Sequence, residues 1–393
     1  MVALAELPTE ILREIFSSLK PADLVNASLV SHRLYSITES FLYKTVVLSS
    51  ATIIPFTRTI IERRDLANHV KDLKCNQSDT TRASHSLMVC LLLHAIPNLH
   101  IFTCAQLVEE TFHKFTFFET MTGRTSSNAF PVGVQSLQEI ECGLDKLSDP
   151  YEELGVDCNT LFAMMRFPSI RKIRASMMDD EWEGDVDSYY NAKAGTSSVT
   201  HLEIINYVLR PEMIELILKV PQSLTNFSYF DSGYDPSFLV DPTFGIAIGR
   251  LQATLQFLEL DFSESVIMHE DEVMVVYYPI GMFRDWPQLT RIKSPLLPLL
   301  GSPDTPATPR LGAVLPLVVK ELSVDTDPMW MDSDIVGQLM DLLEWKEAYG
   351  LTRLKVIKIS HLLLSSDELR DRLAAACNTA GIEFGVVTYN RIE

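Results

Sequence analysis

No apolar run in this chain is long enough to cross a bilayer. The longest strongly apolar stretch, at residues 87–96, contains His94, and a span needs about 20 residues. A surplus of basic charge is missing too. Lys+Arg number 33 against 52 Asp+Glu, for a formal net charge of −19. Phosphate backbones are bound largely through Lys and Arg, and anionic bilayers attract polybasic segments. Neither nucleic acid nor a membrane is therefore expected as a partner. Cysteine is sparse. The six, at 75, 90, 104, 142, 158 and 377, form no CxxC pair and no Cys/His cluster. That fits reduced, buried thiols of an intracellular protein, cytoplasmic and/or nuclear. The sequons at Asn26, Asn76 and Asn226 are chance matches on that expectation.

Catalytic signatures are also wanting. His269-Glu270 is followed by Asp271, Glu272 and Val273, so no HExxH zinc motif forms, and GxSxG, Walker A and GxGxxG do not occur. His85, His94, His100, His113 and His201 stand singly in apolar patterns. No thiol has the setting that a thioester-forming ligase needs. Neither catalytic, cofactor-binding nor metal-ligating residues are expected. The charged N-terminal run, with Glu6, Glu10, Arg13 and Glu14, does not read as a secretory signal. The last residues, Arg391-Ile392-Glu393, are not a prenylation signal.

What is present begins with a dense helical pattern. In LPTEILREIFSSL, Leu7, Ile11, Leu12, Ile15, Phe16 and Leu19 recur at helical spacing. Pro8 suits a first helical turn. Pro21 opens a second helix, with Asp23 in its first turn and Leu24, Ala27 and Val30 apolar. A third runs from about Ser31 to Leu42, with Leu34, Ile37 or Thr38, and Phe41 turned inward. Three short helices are too little chain for a competent core of their own. Such a module needs a further surface, in this chain or in another protein.

These residues carry a resemblance. Leu7, Pro8, Glu10, Ile11, Ile15, Phe16, Leu19, Asp23, Leu24, Leu29, Val30 and Ser31 stand at the offsets of an F-box. Where that pattern usually ends in Trp, this chain has Tyr35. The resemblance implies apolar packing on the Skp adaptor of a cullin–RING ubiquitin ligase. Leu7, Pro8, Ile11, Ile15, Leu19, Leu24 and Val30 would form the contact set.

The rest of the chain repeats itself. An apolar–x–x–apolar–x–apolar pattern recurs twelve times, from Tyr43-Val46-Leu48 and Val70-Leu73-Cys75 to Leu354-Ile357-Ile359 and Phe384-Val387-Tyr389, at intervals of 25 to 38 residues. The last two apolar positions lie two apart, as one face of a strand requires. Helical patterns fall between them, at 210–220, at 333–349 before Gly350, and at 365–380, where Ser365 and Glu368 form a capping box ahead of Gly381. Alternating strands and helices predict an α/β fold with a parallel sheet. The period resembles irregular leucine-rich repeats, as found behind F-boxes of fungal type. The implied organisation is an F-box at 1–43 and a curved solenoid at 44–393. Stacked repeats need no single large core. Cys75, Cys104 and Cys142 take the third pattern position, where a small buried apolar residue fits.

Inserted loops are expected at 143–159, 177–198 and 301–316. The second holds Asp179, Asp180, Glu181, Glu183, Asp185 and Asp187. It mimics part of a calcium loop, but position 12 is Tyr190, not the bidentate Glu, so a solvated acidic loop is expected. The third carries four prolines and reads as a mobile insertion in which Ser302, Thr305 and Thr308 each precede Pro. The function implied is a non-catalytic subunit of an SCF-type ubiquitin ligase. It would bind the Skp adaptor, and through it cullin, by the F-box. A target, basic by the acidity of the repeat region, would be held by the repeats. A non-degradative F-box scaffold is the alternative, and a repeat-fold enzyme or inhibitor with a helical cap is a third.

Overall fold

A computed structural model of the chain describes residues 6–76, 82–104, 132–143, 156, 158–177, 194–206, 209, 211–231, 242–262, 279–303, 308–325, 330–360 and 366–387. The chain falls into two compact units, Met1–Ala175 and Ser176–Glu393.

The first unit opens with α1 (Thr9–Ser17), α2 (Pro21–Ser28) and α3 (His32–Leu42). Five parallel strands follow in sequence order: β1 (Thr45–Leu48), β2 (Asp72–Cys75), β3 (Ile101–Cys104), β4 (Glu139–Cys142) and β5 (Lys172–Met177). Between them lie α4 (Ile53–Glu62), α5 (Arg64–Ala67), α6 (Arg82–Ala95), α7 (Val132–Gln135) and α8 (Cys158–Met165). The second unit holds seven parallel strands, again in order: β6 (His201–Asn206), β7 (Asn226–Asp231), β8 (Phe257–Asp261), β9 (Arg291–Ser294), β10 (Glu321–Val324), β11 (Val356–Ser360) and β12 (Glu383–Val387). Its helices are α9 (Pro211–Lys219), α10 (Pro242–Gly249), α11 (Leu296–Leu300), α12 (Leu311–Val314), α13 (Asp332–Glu344) and α14 (Asp367–Thr379).

The strands stack with the sequence pattern in register. Val46, Leu73, Phe102, Ile140 and Ile173 align across the first unit. Leu202, Phe227, Leu258, Ile292, Leu322, Ile357 and Phe384 align across the second. A slip of one residue would turn every inward side chain outward, so the buried face fixes the register. The leading apolar residue of each pattern, from Val70 and Leu99 to Val319 and Leu354, is buried beneath the strand entry. One carbonyl there serves two donors. Lys44 O accepts from Lys71 N and Asp72 N, and Lys71 O from His100 N and Ile101 N; Gln256 O accepts from Thr290 N and Arg291 N, and Thr290 O from Lys320 N and Glu321 N.

Several expectations need correction. The final repeat is shifted: Phe384 aligns with Ile357 and Val386 with Ile359, so Phe384 takes the second pattern position, not the first. Gly381, at φ +67°, turns the chain out of α14 and starts the strand early. The capping position of α14 is Ser366, whose side chain makes no capping hydrogen bond; Ser365 lies outside the described residues. The 143–159 insertion gives way to α8 from Cys158 onward. The acidic run at 179–187 lies outside the described residues. The 301–316 segment is not wholly a loop. Leu311, Gly312 and Val314 are buried on α12, and Ser302 is buried with its carbonyl accepting from Thr308 Oγ1 at 2.8 Å.

All six cysteines are buried free thiols. Cys75, Cys104 and Cys142 align on adjacent strands. Burial pushes the Cys75 and Cys142 thiols well up, and that of Cys377 to about 11. Thiolate is the reactive form, so the folded chain should leave all six unmodified by a charged maleimide at pH 8, with modification on denaturation; mass spectrometry of the intact protein reads both states. A second test concerns close packing. A Cβ on Gly133 would stand 2.3 Å from Leu93 O and 2.5 Å from Ile96 O. Gly133→Ala should destabilise the α6–α7 contact by about 1–3 kcal/mol, seen as faster amide exchange in those helices.

Candidate functional site

The three N-terminal helices divide their apolar side chains between two environments. Leu12 and Phe16 of α1, Leu24 of α2, and Leu34 and Ile37 of α3 form a buried cluster. Leu7, Ile15, Leu19, Ala27, Phe41 and Leu42 are partly buried against it. The ends are fixed by side chains. Ser31 Oγ caps α3 by accepting from Leu34 N at 3.2 Å. The Arg33 guanidinium donates to Leu7 O at 2.7 Å, tying α3 to the segment that enters α1. Pro8 sits at the N-cap of α1, one residue earlier than expected, with ψ 147°.

A second set of apolar side chains is left in water: Ile11, Val25, Leu29 and Val30, the last two 80% and 71% exposed. Leu29 and Val30 follow the end of α2, where the chain turns before the Ser31 cap, so no helix covers them. Burying two such side chains on a partner is worth about 3–6 kcal/mol.

Of the seven expected contact residues, Pro8, Ile11 and Val30 are exposed. Leu7, Ile15 and Leu19 are shared with the core. Leu24 is 5% exposed and belongs to the buried cluster of the three helices. Val25 and Leu29 were not in the expected set. One helical step beyond inward Leu24 places Val25 outside, a signal legible in the spacing. Leu29 lies past the last helical turn.

This module is held against the first strand. α3 runs into β1 within three residues. Tyr43 stacks on Phe56, with ring centroids 6.5 Å apart. Arg63, between α4 and α5, pairs with Glu39 at 3.2 Å and Asp65 at 2.5 Å, and Tyr35 OH donates to the same Glu39 oxygen at 2.9 Å. Burial, then the neighbouring Tyr35 and Glu39, raise the Tyr43 hydroxyl above its ordinary value. Tyr35, standing where the F-box pattern usually has Trp, is thus tied to the strand region.

Among the described residues no group of three or more His, Cys, Asp or Glu side chains could hold a metal ion. None of the described helices is long and apolar enough to cross a membrane. His94 Nδ1 lies 2.8 Å from Cys90 O, a structural contact within α6.

Residues 4–49 match the family model described as F-box-like. The chain carries an F-box-like domain, and the match covers the three helices and β1. Domains of this family generally bind the Skp adaptor of SCF-type ubiquitin ligases and are typically non-catalytic. No curated protein matches the sequence.

The two apolar sets should separate on mutation. Leu24→Ala should cost the helical module about 2–5 kcal/mol, whereas Leu29→Ala should leave its stability within about 0.5 kcal/mol. Amide exchange across α1–α3 measures both.

Proposed function

We propose that this protein is the substrate-recruiting subunit of an SCF-type ubiquitin ligase. The observation that carries the proposal is the F-box-like match at residues 4–49 on a helical module that leaves Ile11, Val25, Leu29 and Val30 exposed. The three helices share a small buried cluster, yet leave these apolar side chains in water, where a second protein could bury them. On this reading they pack on the Skp adaptor, which in turn binds cullin.

The strand–helix units of residues 44–393 are then irregular leucine-rich repeats that hold a target protein. Recruitment works by proximity: a target fixed near the ubiquitin-charged enzyme presents its lysines at high effective concentration. This chain supplies position and no chemistry. The ties from Arg63 and Tyr43 to the helical module support it mechanically, since a target is presented accurately when the module and the first repeat move together. The cytoplasm and nucleus are the compartments in which such a complex would act.

Purified Skp adaptor should form a complex with the full chain that survives gel filtration. Ile11→Asp and Val30→Asp should each weaken it at least about tenfold without altering the thermal melt, because both positions are solvent-facing in the free chain. Failure of the unaltered chain to bind the adaptor, or equal binding by both variants, would remove the assignment.

A further inference from the structure

Just before each strand of the first unit stands one residue at an equivalent place: Lys44, Lys71, His100, Gln138 and Arg171. Backbone hydrogen bonds tie the five into a row. Lys71 N donates to Lys44 O at 2.9 Å, His100 N to Lys71 O at 2.7 Å, Gln138 N to His100 O at 2.9 Å and Arg171 N to Gln138 O at 2.8 Å. Lys44, Gln138 and Arg171 are exposed, and Lys71 and His100 are half-buried. In the second unit the same row opens neutral, with Thr200, Thr225, Gln256 and Thr290. The ladder therefore does not require basic residues at this place.

Two observations mark the row as chemically incomplete. Among the described residues, no carboxylate pairs with the ammonium group of Lys44 or of Lys71. The carboxylates that open the same strands are engaged elsewhere: Asp72 Oδ2 accepts from Thr45 Oγ1 at 3.0 Å, and Glu139 pairs with Lys172. Independently, His100 Nδ1 is buried and has no hydrogen-bond partner. A buried polar nitrogen in that state calls for a group that the chain itself does not supply.

We propose that this row, centred on Lys44, Lys71 and His100, is a docking surface for an acidic, extended segment of a target protein. This rests on the reading of the repeats as the target-holding part, and it adds the chemistry of the target. It reverses the basic target expected from the net charge of −19, because a ligand meets local groups first. The row and the residues that open the strands carry four cations, Lys44, Lys71, Arg171 and Lys172, against the two carboxylates of Asp72 and Glu139. Strands about 4.8 Å apart spread the five positions over about 19 Å, the reach of about six extended residues. Carboxylates of such a segment pair with Lys44 and Lys71 and accept from the His100 ring, which donates from both nitrogens when protonated. Complementary charge selects the segment and steers its approach, and salt weakens it.

The probe is a fluorescent peptide of Glu-Leu-Ser repeats, titrated by anisotropy against the full chain, with a Lys-Leu-Ser peptide as comparison. The acidic peptide should bind, more weakly as salt is raised, and the basic one should not. Lys44→Gln with Lys71→Gln should weaken binding about tenfold. His100→Phe, which keeps a ring and removes both nitrogens, should weaken it about threefold. Arg353→Gln with Arg372→Gln, which removes the same charge from exposed positions of the second unit, should leave it unchanged. Absence of binding, equal loss in both pairs, or unchanged binding by His100→Phe would overturn the proposal. Equal affinity for a single-stranded oligothymidylate, the mark of a general polyanion site, would also overturn it. So would binding that emerges only once the acids at 179–187 are replaced by Ser, which makes that run the occupant. If the first pair lowers the thermal melt, Lys44→Gln alone, at an exposed position, is judged by the same criterion. Skp adaptor binding is measured on the same preparations. Its failure would undo the ligase assignment and leave the result at this row intact.

Discussion

Each strand buries a few side chains on one face and has nothing of its own to bury them against. This constraint governs the chain from β1 onward. A lone repeat places, for example, Leu258 and Leu260 on one side of β8 and leaves both in water. Stacked beside β7, they align with Phe227 and Tyr229, and Tyr229 in turn packs with Phe244 and Phe262. Here Tyr229 and Phe244 approach to 5.3 Å and Phe244 meets Phe262 edge-on at 6.0 Å. Stability is then a property of neighbours, as in any stacked repeat. The constraint also explains the carbonyls that accept two donors at the strand entries. Each repeat must hand its chain to the next at the same height, or the apolar rows fall out of step.

Much of this was legible in the sequence, because the inward face demands an apolar residue at fixed offsets. Eleven of the twelve pattern units were placed with their middle residue on the aligned row. The exception, at the end, is instructive. Val387 and Tyr389 satisfy the pattern, but so do Phe384 and Val386, and composition alone does not choose between them. Gly381, at positive φ, ends α14, and Glu383 N then donates to Lys355 O at 2.8 Å, which sets the earlier register. The segment at 301–316 misled for a related reason. Its prolines argue for irregular backbone, and they are correct about irregularity. They say nothing about burial, and Leu311 and Val314 carry the segment inward.

The helical module shows where sequence patterning loses resolution. Apolar periodicity marks a face, yet two apolar faces on one short helix give a single blurred signal. On α1, Ile11 and Leu12 are adjacent in sequence, and one is in water while the other is the centre of the core. Leu24 and Val25 repeat the same split on α2. A resemblance to F-boxes identifies the set as a whole but does not assign each member to core or contact. The division follows from three helices being packed around one small cluster. About five side chains fill it, and the remainder have nowhere to go but outward. An incomplete core and a binding surface are thus one consequence of the same shortage of chain.

The two exposed surfaces are built on opposite principles, and the difference has a functional logic. The helical module offers aliphatic side chains of little chemical individuality, suited to recognition through shape and apolar contact. The row before β1–β5 offers charge, on strands whose inward rows lock their positions. Inward residues cannot change without disturbing two neighbours. Outward residues contact mainly one another and solvent, so they can vary without cost to the ladder. A chain organised in this way can hold its frame constant while its alternate positions vary.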